Sequence, residues 1–95
     1  MHVITKKRIK EAMQLFPHSA NSLEGWLKII SRNHFKNFAE IKNTFGSVDK
    51  VGALTVFDIG GNKVRLIASI HFNRQRVYIR RILSHADYDQ NNWQE

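Results

Sequence analysis

Two proton-carrying side chains stand three residues apart near the end of the sequence, His85 and Tyr88 in the segment SHADYD (84–89). Just before them VYIRRIL (77–83) carries Tyr78, Arg80 and Arg81, and KVR (63–65) carries Lys63 and Arg65. An imidazole exchanges protons near neutral pH, and guanidinium groups hold a phosphate and the charge that develops on it. Cleavage of an RNA phosphodiester without a metal needs those parts: a base for the 2′-hydroxyl, an acid for the departing 5′-oxygen, and cations for the phosphorane between them. Tyr88 adds a hydroxyl for proton work and a ring on which a base can stack. Each residue also has a plainer reading, with Tyr78 as a sheet residue, His85 as a turn residue and Tyr88 as cover for the edge of the core. By themselves the residues favour plain nucleic-acid binding over cleavage.

Other chemistries find less support. The histidines at 2, 18, 34, 71 and 85 show no metal-ligand spacing, and the chain has no cysteine. Without cysteine there is no thiolate nucleophile and no disulfide, and zinc loses its commonest ligand. His71 and His85 can approach across strands, but no clustered carboxylates accompany them, so no metal site and no cofactor are expected. GGN at 60–62 opens a strand rather than a helix, which makes it a hairpin turn and not a phosphate loop. Ser84, His85 and Asp87 are sequence neighbours with no nucleophile elbow around Ser84, so they do not make a catalytic triad.

Charge points toward a polyanion. Fifteen Lys and Arg against eight Asp and Glu give a net charge of +7. Between Ile59 and Ala86 no acidic residue occurs, whereas Lys63, Arg65, Arg74, Arg76, Arg80 and Arg81 all do. A one-signed block rich in arginine, the forked phosphate binder, favours nucleic acid over mere solubility.

The 95 residues suffice for one domain with one modest core, spanning 1–95. No apolar run is long enough for a membrane helix, and MHVITKKRIKEAM lacks the pattern of a signal peptide, so the expected location is the cytoplasm. HVI (2–4) suits a short edge strand. Thr5 is a candidate N-cap for a helix through about Phe16, with Ile9, Met13 and Phe16 on one face. Pro17 breaks it, and Ser19 or Asn21 caps a second helix to about Asn33 that buries Leu23, Trp26, Leu27 and Ile30. A short helical turn over 38–45 leads to a loop through GSVDKVG. From there the period changes to two: LTVFDI, KVRLIASIHF and VYIRRIL read as strands joined by GGN and NRQR. Helices followed by an antiparallel meander predict an α+β domain, with the N-terminal helices packed on one face of a small twisted sheet.

Pairing the last two strands with Phe72 opposite Val77 sets Ile70 against Ile79, Ala68 against Arg81 and Leu66 against Leu83. The other face then pairs His71 with Tyr78, Ser69 with Arg80 and Ile67 with Ile82. This register keeps the apolar sides together. It leaves Arg81 as a misfit on the apolar face, snorkelling past the small Ala68. His85 also falls on the apolar face by strict alternation, so the strand must end or twist by about Ser84 for His85 to join the arginines.

Nearly end to end, the chain resembles the HigB toxins of bacterial type II toxin–antitoxin systems, a branch of the RelE-like ribosome-dependent mRNA endonucleases. The likeness runs through MHVITKKRIKEA, WLKII, HFKNF, the strand leading into IGGNKVR, and VYIRRILSHADYD, with the G-G-N-x-x-R and H-x-x-Y-D patterns specific together. It implies a RelE-like fold and a toxin that enters the A site of the 70S ribosome to cut mRNA. It also implies neutralisation by a helix-turn-helix antitoxin of the HigA type. Arg65 matches the arginine of G-G-N-x-x-R, Arg80 that of Y-I-R, and His85 and Tyr88 match H-x-x-Y-D. These four are the expected catalytic residues, with Lys63, His71, Tyr78 and Arg81 as expected substrate contacts on the polar sheet face. A non-enzymatic RNA- or ribosome-binding domain and a ParE-like gyrase-targeting toxin remain the alternatives.

Overall fold

The computed structural model describes residues 1–61 and 63–90. Its elements run β1 (His2–Ile4), α1 (Lys6–Leu15), α2 (Ala20–Arg32), α3 (Phe38–Thr44), β2 (Asp49–Val51), β3 (Leu54–Ile59), β4 (Val64–His71), β5 (Arg76–Ser84) and α4 (His85–Asp89). The five strands form one sheet in the order β1-β5-β4-β3-β2. The expected α+β arrangement is present, and the meander β2–β5 is antiparallel throughout. β1 adds to the free edge of β5 in parallel, with Val3 opposite Val77, which makes the sheet mixed. β2 occupies part of the expected GSVDKVG loop.

One side of the sheet carries the core. Ile9 and Ala12 of α1, and Leu23, Trp26 and Ile30 of α2, pack on Phe57, Val64, Leu66, Ala68, Val77 and Ile79. Trp26 and Phe45 both meet Phe57 edge-on, at centroid distances of 5.3 and 5.2 Å. Each large side chain buried this way contributes roughly 1.5–3 kcal/mol. Met13, Phe16 and Leu27 close the margin of that core.

Helix starts depart from expectation where the backbone has another use for the capping residue. Thr5 makes no side-chain cap for α1; it lies in the left-handed region at φ 67°, and its hydroxyl donates to the carbonyls of Ile4 and Ile79. Pro17 does break the chain, by opening a 3₁₀ turn through Ser19. Ser19 makes no side-chain cap to α2 and is buried, under Gly60. Gly60 and Gly61 both take positive φ, 66° and 63°, as a tight hairpin turn requires. Asn62 of the expected GGN turn lies outside the described residues.

The register of β4 and β5 is the main correction. Ile70 pairs with Val77, Ser69 with Tyr78 and Ala68 with Ile79, two residues away from the expected pairing. A slip of two preserves which side chains face the core, so hydrophobic alternation cannot detect it. Between Ala68 and Ile67 the ladder then shifts: Ile67 pairs with Arg81, and Arg80 is the extra residue of a β-bulge. The bulge reverses the alternation beyond it. Ile82, opposite Leu66, packs toward the main core, and Leu83 moves to the other face. Arg81 is therefore not a snorkelling intruder beside Ala68; it belongs to the face that α1 and α2 leave uncovered.

Candidate active site

The face opposite α1 and α2 is built on that bulge. Arg80 follows the core-facing Ile79, and Arg81 sits opposite Ile67, so register places both arginines on the side away from α1 and α2. Both are exposed. A bulge disrupts the backbone ladder locally, and Arg8 of α1 supports it there, its Nη1 donating to the Arg80 carbonyl at 2.9 Å.

Where β5 ends, the chain turns back into α4. Ser84 opposite Val64 is the last paired residue, and the Asp87 amide donates to Ser84 Oγ at 3.1 Å. Ser84 is thus the N-cap of α4, and the strand ends where His85 needed it to end. The S-x-x-D spacing is a helix-start signature that the sequence displays and that strand alternation obscured. The His85 amide donates to the Lys63 carbonyl at 3.1 Å, which binds the start of α4 to the G-G-N-x-x-R segment.

On α4, His85 lies one turn from both Tyr88 and Asp89. His85 is exposed, and its Nε2 stands 3.2 Å from Asp89 Oδ2, an ion pair whenever the imidazole is protonated. Tyr88 is half-buried. It packs on Val56 and Ile67 together with Val51, Leu54 and Leu83, an apolar patch on a face expected to carry mainly cations.

Arg65 stands between these parts. Its guanidinium carbon is 5.3 Å from the centre of the Tyr88 ring, and its Nη1 donates to Asp58 Oδ1 at 2.6 Å. Ser47, Asp49, Val56, Asp58, Arg65 and Tyr88 enclose a pocket of about 190 Å³. Asp58 lines this candidate site, and sequence reasoning did not single it out. The signal was its place in LTVFDI, because it faces Arg65 once β3 and β4 are paired across the GGN turn.

Lys63, Arg65, Arg81, His85 and Tyr88 thus gather around the β4–β5–α4 junction, with Arg80 beside Arg81. His71 and Tyr78 do not join them. They touch edge to face at 5.2 Å, diagonally related because Tyr78 pairs with Ser69 and His71 with Arg76. Tyr78 and Ser84 are six positions apart on β5, roughly 20 Å at a strand's usual rise. The face is long enough for several nucleotides, with proton carriers at one end and a His–Tyr platform at the other.

Among the described residues, no three His, Asp or Glu side chains gather as a metal-binding group, and no helix is long and apolar enough to cross a membrane.

Comparison with known proteins agrees with this architecture. Residues 19–91 match the HigB toxin family, described as the RelE-like toxic component of a toxin–antitoxin system. The mRNA interferase toxin HigB of Escherichia coli (strain K12) is 35% identical over 92 residues, which cover 94% of this chain and 88% of that one. The mRNA interferase HigB of Shigella flexneri matches with the same identity and coverage. That of Escherichia coli O6:H1 is 32% identical over 94% of this chain and 89% of its own length. The likeness spans nearly the whole of both partners, and the chain belongs to the HigB toxins, RelE-like toxic components of toxin–antitoxin systems.

Proposed function

We propose that the chain is an endoribonuclease toxin that cuts translated mRNA in the A site of the 70S ribosome, in the cytoplasm, using acid–base chemistry of its own side chains. A helix-turn-helix antitoxin of the HigA type neutralises it. The observation that carries the reading is the pairing of His85 and Tyr88 on one short helix at the arginine-bearing end of the open sheet face, in a chain whose relatives are named mRNA interferases.

Lys63, Arg80 and Arg81 hold the scissile phosphate and its neighbours. A base takes the proton of the 2′-hydroxyl, O2′ bonds to phosphorus, the P–O5′ bond breaks, and an acid protonates the leaving oxygen. The products end in a 2′,3′-cyclic phosphate and a 5′-hydroxyl. His85, exposed at the rim, is the leading proton carrier. Tyr88 orients the substrate or shares the proton work, and Arg65 adds positive charge against its ring. His71 and Tyr78 hold a flanking nucleotide by stacking. No cofactor takes part.

The test is expression in a growing bacterium with primer-extension mapping of transcripts. Discrete cuts inside translated reading frames are the expected result. Intact mRNA with DNA damage would point instead to a gyrase-directed toxin. Intact mRNA and DNA with the chain bound to ribosomes would point to a binding domain.

A further inference from the structure

Arg65 differs from the other cations of its face. Lys63, Arg76, Arg80 and Arg81 are exposed, whereas the Arg65 side chain is only 13% exposed and its partner Asp58 23%. The two residues are direct partners across β3 and β4, so register brings them together, and their 2.6 Å contact is charge-assisted. Beyond the carboxylate the same guanidinium stacks on Tyr88, which is carried by α4 and rests on Val56 and Ile67. The arrangement is a chain of supports: sheet backbone, Asp58, Arg65, Tyr88. A phosphodiester approaching Arg65 would have to displace Asp58 in a pocket that Asp49 also lines. Arg65 is therefore placed to hold Tyr88 more readily than to hold RNA.

We propose that Asp58 is a positioning residue for RNA cleavage. It fixes the Arg65 guanidinium, which fixes the Tyr88 ring at the scissile nucleotide; the inference rests on the nuclease activity proposed above. Neighbouring α4 is five residues long, too short to be rigid on its own, so a side chain anchored in the sheet adds to what the Ser84 cap and the His85–Lys63 backbone bond provide. Misplacing a reacting group by about 1 Å costs up to roughly 100-fold in rate.

The experiment is single-turnover cleavage of ribosome-bound mRNA by the full chain, recording maximal rate and half-saturating ribosome concentration for wild type, Asp58→Asn, Tyr88→Ala and the double variant. Asp58→Asn should lower the maximal rate about 10- to 100-fold, with half-saturation changed less than about twofold. Added to Tyr88→Ala it should cost little more, because both act through one ring. Should Asp58→Asn fail to fold, Arg65→Lys, which keeps the charge and loses the fork, must show the same split. A rate at or above wild type, tighter or weaker ribosome binding, or full additivity with Tyr88→Ala would overturn the positioning role while leaving the nuclease reading intact. A wild-type chain that cuts nothing would remove both.

Discussion

Arg81 pairs with Ile67 across the sheet while its neighbour Arg80 has no partner position on β4. That single extra residue puts two consecutive arginines on the same face, where regular alternation would have buried one of them. It is held by Arg8, whose guanidinium takes the Arg80 carbonyl. The bulge is thus the device that concentrates positive charge beside α4.

The arginines should prove catalytic before they prove adhesive. Truncating Arg80 or Arg81 to alanine should reduce single-turnover cleavage by roughly two to three orders of magnitude, the usual loss for one preorganised donor. Ribosome affinity should fall far less, because under the proposed function the exposed Lys6, Lys7 and Lys10 would share that task. A filter-binding titration alongside the cleavage assay separates the two; lost binding with an unchanged rate in the remaining complex would make them docking residues.

His85→Gln should leave the melting temperature and antitoxin binding nearly unchanged and abolish cleavage. A folded variant that still cuts ribosome-bound mRNA at near wild-type rate would end the assignment.

Ser84→Ala tests whether the cap of α4 matters to function. Loss of an N-cap costs about 0.5–2 kcal/mol, here confined to the five-residue helix. Global melting should shift by only a few degrees. Amide exchange at 87–89 should quicken, and cleavage should drop severalfold as His85 and Tyr88 lose their common frame. Unchanged exchange would show that contacts other than the cap hold the helix.

The isolated chain should cut naked RNA poorly and ribosome-bound mRNA well. One exposed imidazole and one half-buried phenol make a lean inventory, and under the proposed function ordering of the mRNA on the ribosome would add roughly several kcal/mol of positioning. Comparable rates with and without 70S ribosomes would contradict ribosome dependence.

Gly60→Ala should destabilise the fold by about 1–2 kcal/mol through its left-handed backbone alone. The new Cβ would also meet the buried Ser19 Oγ at 3.0 Å. A lower midpoint in urea at constant slope would register it; an unchanged midpoint would mean that the turn and Ser19 relax together.

What the sequence by itself determined was local. Helical spacing in 6–30, the stop at Pro17, the change to period two after Gly52 and the glycine turn could be read because each depends on residues a few positions apart. So did the basic block and the H-x-x-Y-D segment. Tertiary structure decided what depends on distant pairing. Alternation reports which residues share a face but is blind to a slip of two, so it accepts Phe72 opposite Val77 where Ile70 belongs. A bulge reverses alternation halfway along a strand, and only the partner strand reveals it; the misplaced charge of Arg81 was its one trace in the sequence. Asp58 read as an ordinary strand residue until β3 lay beside β4 and set its carboxylate against Arg65. The proton carriers were legible from their types, whereas the supports that aim them were not, because supports are made by contacts between strands that the chain brings together only on folding.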